Sequence, residues 1–252
     1  FANSLRLRYA MAIQQKDAAT ANAAITESLA KPLLAASEDF GLYPASILNY
    51  VNDRGDWYRG NSYVRLGSTM WGAMSGTNAT DGSGIYDLRC KIFFEPNKAG
   101  QWVPFPQVPS NSTPTEIGNS AGNDPYDNTR LNTWVIPGTY NYAPLNFYYV
   151  ADKTFPQLFI TGQEISFLKA EIYNKGIGGV SANPATAKNF YEEAITASVN
   201  FWYKKANESS IWVVNKPAAA PTAAELNGML SNPAVAYSAD AATALSQIYK
   251  QH

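Results

Sequence analysis

The chain has 252 residues, a formal net charge of −1, one Cys and one His, with 13% aromatic residues and only 15% charged ones. An average soluble domain carries about 25% charged residues, so this surface is sparsely charged and lacks the cationic field that nucleic acid or anionic lipid requires. One cysteine (Cys90) excludes an intrachain disulfide and a cysteine-based zinc site, and the only histidine, His252, leaves histidine-dependent triads and dyads without a base.

In chain order, residues 1–35 read as a pair of helices. Leu5, Tyr9, Ala12 and Ile13 recur at helical steps, Gln15-Lys16-Asp17 interrupts, and Ala21, Ile25, Ser28 and Leu29 resume the pattern. Residues 41–160 differ in kind. They hold most of the Gly, Pro, Asn and Trp, and they read as long irregular loops carried on a helical scaffold. Within them, Ser62 to Met74 predicts a helix through Leu66, Met70, Trp71 and Met74, capped by Asn61 or Ser62. Arg89 to Phe94 alternates in part and predicts a short strand closed by Pro96 and Asn97.

A second helix pair covers 163–203. Ile165, Leu168, Ile172 and Tyr173 mark its first helix; Ala187, Phe190, Tyr191, Ala194 and Ile195 mark its second. Between them the double glycine Gly178-Gly179 predicts a stop, and Asn183-Pro184 an N-cap with proline at the first helical position. Ala244, Leu245, Ile248 and Tyr249 predict a last helix over about 239–252. Both ends read as cuts within structure. The small and aromatic residues of the pairs (Ala170, Tyr173, Ala187, Tyr191, Ala194) resemble tetratricopeptide hairpins, with generic helix packing as the alternative.

Four stretches, in order and spacing, resemble the SusD/RagB family of Bacteroidetes outer-membrane nutrient-binding lipoproteins. They are the opening Phe1–Met11 helix; Asp87–Asn97, beside the family's Asp-Pro-Arg-Leu-Pro-Ile-x-Phe-x-Pro-Asn; Gly162–Glu171, beside Glu-x-x-Phe-Leu-x-Ala-Glu; and Phe190–Ser198, beside Tyr-x-x-Gly-Ile-x-Ala-Ser. The second departs at Leu88, Cys90 and Lys91, and the fourth has Ala194 in place of Gly. The resemblance implies a mainly α fold of tetratricopeptide-like hairpins in an α/α superhelix, with long loops and little β structure. It also implies a lipid-anchored protein at the cell surface, with the anchor in a part of the protein outside this chain. Such a protein captures an oligosaccharide, or a peptide, for a TonB-dependent, SusC-like outer-membrane transporter, without catalysis, cofactor or metal.

Sugar rings offer flat C–H patches edged by hydroxyls, so a sugar site needs an aromatic face with planar amides or carboxylates at its rim. Trp57, Tyr58, Trp71 and Trp134 are the candidate ligand-binding residues, in segments rich in Asn, Asp and Gly. In the competing reading these rings pin the loops to the scaffold. Trp202 and Trp212 read as core. Asp53 with Asp56, or Asp81 with Asp87, offers the carboxylate pair of a glycoside hydrolase, against solvated loop acids and turn-formers. Asp81 to Asp87 lacks the dense acidic alternation of a calcium loop, and Gly72 to Gly76 has its Ser one place late for a nucleophile elbow. Cys90, within the Phe-rich predicted strand, reads as a buried, inert thiol.

Overall fold

A computed structural model describes residues 1–44, 65–108, 110, 141–213 and 215–252. The chain is mainly α, and among the described residues its one sheet has two strands. It divides into two compact units: unit 1 comprises Phe1–Leu42, Gln157–Phe201 and Leu230–His252, and unit 2 comprises Tyr43–Pro156 and Trp202–Met229.

Unit 1 is built from helix pairs. Helices α1 (Ala2–Ile13) and α2 (Ala18–Leu29) break where Gln15-Lys16-Asp17 predicts, and Asp17 accepts the Thr20 N–H at 3.1 Å as the N-cap of α2. Strands β1 (Asp39–Leu42) and β2 (Gln157–Thr161) pair antiparallel, with a bulge between Phe40 and Gly41. Next comes α6 (Gly162–Lys175), numbered after the three helices of unit 2 described below. Thr161 caps it by accepting the Glu164 N–H, and Gly176, left-handed at φ 68°, stops it two residues before the predicted double glycine. Asn183 then accepts the Thr186 N–H at 3.0 Å and opens α7 (Pro184–Glu208), with proline in the first helical position.

Leu7, Ala10, Ile25, Ile160, Ile165, Leu168 and Ile172 form one buried cluster from α1, α2, β2 and α6. Ala170, Ala187, Tyr191 and Ala194 are all fully buried, as close helix approach requires. Arg8 on α1 pairs with both oxygens of Glu164 and donates to the Phe159 carbonyl at 2.8 Å, tying α1 to β2 and to the first turn of α6. The last helix, α9 (Ala241–Gln251), packs on α6 and is capped by Asp240, which accepts the Thr243 N–H at 2.8 Å.

Unit 2 contains short helices: α3 (Ser68–Met74), α4 (Cys90–Phe93), α5 (Phe147–Ala151) and α8 (Ala223–Leu230). Two expectations need correction here. Among the described residues the helix predicted from Ser62 starts at Ser68, because Arg65 and Gly67 are extended and bridged to Pro144 and Phe105. Residues 62–64 and the cap at Asn61 lie outside the described residues.

The strand predicted over Arg89–Phe94 is instead a single helical turn. The Phe93 N–H donates to Arg89 and the Phe94 N–H to Cys90 within the segment, and only Phe94 bridges to another part of the chain, at Leu145. The apolar core of unit 2 gathers Leu66, Trp71, Cys90, Ile92, Trp102, Phe147, Tyr148 and Trp212, with Trp202 packed against it half-buried. Both Trp202 and Trp212 serve the core, as the sequence suggests.

Candidate functional site

Of the four candidate aromatics, Trp57, Tyr58 and Trp134 lie outside the described residues. Trp71 is 3% exposed, and its ring stacks on Trp102 with centroids 6.2 Å apart and planes 14° apart. Trp102 is itself buried, and its backbone N–H donates to the Thr80 carbonyl at 2.7 Å, which pins the loop from Ser75 to Tyr86. The pinning alternative therefore describes Trp71, which has no open face for a solute.

The geometry around Trp71 is more informative than the ring itself. Leu66 N–H donates to Ala143 O at 2.9 Å, Ala143 N–H to Val103 O at 2.9 Å, Phe105 N–H to Leu66 O and Ser68 N–H to Phe105 O, both at 2.8 Å. Arg65 bridges Pro144 in the same cluster. This knot of backbone joins 103–105 to the described residues that follow 45–64 and 111–140, the two segments that contain Trp57, Tyr58 and Trp134. Asn97 adds a second clamp, its Nδ2 donating to the Asn141 carbonyl at 3.0 Å while its Oδ1 accepts the Ala99 and Gln101 N–H groups.

Beside the knot lies a small exposed surface that the sequence reading missed. Thr69 donates its hydroxyl to Gln107 Oε1 at 2.8 Å, and Gln107 N–H donates to Ser68 Oγ at 3.1 Å. The Gln107 amide is thereby held at the surface by Thr69, whose sequence neighbour Met70 is 46% exposed, as Val108 after Gln107 is 83% exposed. A fixed planar amide beside apolar side chains has the chemistry of a sugar rim. The signal is tertiary: Thr69 and Gln107 are 38 residues apart, and neither stands in a recognisable motif.

Of the candidate carboxylates, the two that are described, Asp81 and Asp87, are committed elsewhere. Asp81, exposed, accepts the Ser83 N–H at 2.9 Å in a turn, and hydrogen bonds from Ser83 hold its carboxyl below the usual range. Asp87 is buried and paired with Arg89. Asp53 and Asp56 lie outside the described residues. Among the described residues no group of three or more His, Cys, Asp or Glu side chains is placed to hold a metal ion, and no helix is long and apolar enough to cross a membrane. Cys90 is fully buried, and desolvation pushes its thiol up to about 12.

A family model described as starch-binding and associating with the outer membrane, the SusD-like model, matches residues 1–252. Among solved structures, a SusD homologue from Bacteroides vulgatus is similar at 20% identity and TM-score 0.59, over 99% of this chain and 46% of that one. One from Bacteroides fragilis is similar at 15% identity and TM-score 0.65, over 99% of this chain and 49% of that one. A SusD-like protein of the Bacteroidetes is similar at 19% identity and TM-score 0.60, over 100% of this chain and 54% of that one. The chain thus spans about half the length of the structures it matches. No curated protein matches it.

Proposed function

The chain belongs to the SusD-like family, and from that premise we propose that it is the glycan-binding portion of a surface protein that captures oligosaccharides at the outer membrane without altering them. Trp57, Tyr58 and Trp134 supply the stacking faces, and the Gln107 amide and Met70 form part of the rim. Trp71 supports them from the core. Captured ligand passes to a TonB-dependent, SusC-like transporter, and the whole protein is held at the cell surface by a lipid anchor. Stacking and a few hydrogen bonds give modest affinity, as a carrier that must release its cargo requires.

One observation carries this reading. Residues 65–68, which follow 45–64, and 143–144, which follow 111–140, are hydrogen-bonded with 103–105 into one backbone knot, so the chain leaves two aromatic-bearing segments, remote in sequence, into the same cluster. Starch is the first ligand to try, because the family model names it.

Calorimetric titration of the 252-residue chain with a maltooligosaccharide tests the proposal. Binding is expected, with Trp57→Ala and Trp134→Ala each weakening it about 10-fold, roughly 1.4 kcal/mol. Trp71→Ala lowers the melting temperature instead. The sugar is recovered intact. Shortened products that disappear in Asp53→Ala or Asp56→Ala overturn the reading in favour of a hydrolase. Tight binding of peptides with none of glycans overturns it in favour of a peptide carrier.

A further inference from the structure

Unit 1 contains an open groove of about 420 Å³, between the stretch that follows α2 and the paired helices α6 and α7. That size lies within the range of small-molecule sites, about 300–1,000 Å³. Leu33, Leu34 and Ala36 form one wall. The other is an aromatic pair, Tyr173 and Phe190, stacked with centroids 5.7 Å apart and planes 23° apart. Three charged residues complete the lining, Lys31 from the stretch after α2, Lys169 from α6 and Glu193 from α7.

Lys169 is the unusual member. Its ammonium lies 4.9 Å from the centroid of the Phe190 ring, and it is half-buried. Among the described residues it has no hydrogen bond and no ion pair within 4.0 Å; Glu193 acts on it only at longer range. An ammonium has three N–H donors, and one that is partly removed from water without an acceptor is costly to keep charged. Burial accordingly pulls its pKa below the usual lysine value, with Glu193 opposing. Glu193 is better supplied: its Oε2 accepts the Ser166 hydroxyl at 2.9 Å, and its other oxygen remains available as an acceptor.

We propose that this groove is a second ligand site, for a uronic-acid residue of an oligosaccharide. The sugar carboxylate takes the open donors of Lys169, the C–H face of the ring lies against the apolar and aromatic walls, and a ring hydroxyl donates to Glu193. Each part of the lining selects. The unmatched ammonium asks for an anion, the walls ask for a C–H surface, and the Glu193 carboxylate asks for an O–H donor while repelling a dianion such as phosphate. A peptide carboxy-terminus satisfies the first two and lacks the hydroxyl, so the acidic sugar fits better. The groove is lined by residues of unit 1, whereas the proposed aromatic residues belong to unit 2.

The test compares digalacturonate with its neutral methyl ester on the 252-residue chain, by calorimetry. The acid is expected to bind at least about 10-fold tighter than the ester. Lys169→Met should bring the acid down to the level of the ester, and Lys169→Arg should restore most of the difference. The acid-against-ester comparison needs no variant, so a misfolded Lys169→Met protein leaves the proposal open to refutation. Equal binding of acid and ester, or binding of neither, overturns it. So does displacement of the acid by a short peptide with an apolar carboxy-terminal residue that binds more tightly. A chain that binds maltooligosaccharide and no uronate refutes this inference alone; one that binds uronate through Lys169, binds no neutral glycan and is unaffected by Trp57→Ala and Trp134→Ala refutes the earlier reading alone.

Discussion

Arg89 folds back onto Asp87 two residues earlier and meets it three times. The Asp87 carboxylate accepts the Arg89 backbone N–H at 2.9 Å, Nε at 3.0 Å and Nη2 at 2.7 Å, in a setting where Asp87 is 2% exposed. The Asp87 carbonyl also accepts the Cys90 N–H at 3.0 Å, so the pair starts the helical turn α4. Removing one partner of a buried pair strands the other, which costs about 3–5 kcal/mol. Arg89→Met is therefore expected to destabilise the chain by that amount in urea denaturation. Asp87→Leu combined with Arg89→Met should cost clearly less than the two single changes added together. Additive losses would show that the two side chains do not act as a pair.

The Asn97 clamp acts in the same unit, where the chain resumes after 111–140. Its side chain closes its own turn through Ala99 and Gln101 and holds the Asn141 carbonyl, the first described group after 111–140. Asn97→Ala removes three hydrogen bonds at a 5% exposed position, with an expected cost of about 1–3 kcal/mol. If the glycan reading holds, maltooligosaccharide affinity should fall several-fold as well, even though Asn97 need not touch the sugar. Calorimetry on the variant, at a temperature where circular dichroism shows it folded, separates the two effects. Full stability with unchanged affinity would refute the clamp.

What was legible in the sequence was local chemistry. Asn183-Pro184 announces the start of α7 because the cap and the proline act within one turn, and Ala170, Ala187, Tyr191 and Ala194 announce buried faces through their spacing. The misreadings are tertiary. Cys90, Ile92 and Phe94 alternate like a strand, yet the Asp87–Arg89 pair winds the segment into a turn and leaves only Phe94 to pair, with a residue some fifty positions away. A tryptophan in a Gly-rich segment does not announce which surface it covers; the partner of Trp71 is Trp102, and neither residue hints at the other. Gln107 was invisible for the same reason, since its orientation comes from Thr69 and Ser68.

Gly178 and Gly100 offer a comparison of two left-handed glycines, at φ 67° and φ 77°. A Cβ on Gly178 would collide with Ile25 Cγ2, a fully buried side chain of α2, whereas one on Gly100 would meet nothing within 4 Å. Both alanine variants bear the cost of the left-handed backbone, about 1–2 kcal/mol. Only Gly178→Ala adds overpacking, a further 1–3 kcal/mol or so. Denaturant midpoints should therefore show Gly178→Ala as the clearly worse variant. Equal losses would mean that the loop between α6 and α7 is not seated on α2 as described.

Cys90 provides a prediction in pH. Burial, then the Asp87 charge, raise its thiol from the ordinary 9.0 to about 12, with Lys91 opposing. The folded chain then holds this proton while the unfolded chain loses it, so the contribution of Cys90 to stability is fully present below pH 9 and declines as pH rises from about 9 toward about 12. Nucleophilic reactivity belongs to the thiolate, so the folded protein at pH 8 should react negligibly with a disulfide reagent and stoichiometrically in denaturant. Across pH 9 to 11, Cys90→Ala should lose stability less steeply than the parent chain. Rapid labelling of the folded protein at pH 8 would show that Cys90 is not enclosed by Leu66, Ile92 and the neighbouring rings of the unit 2 core.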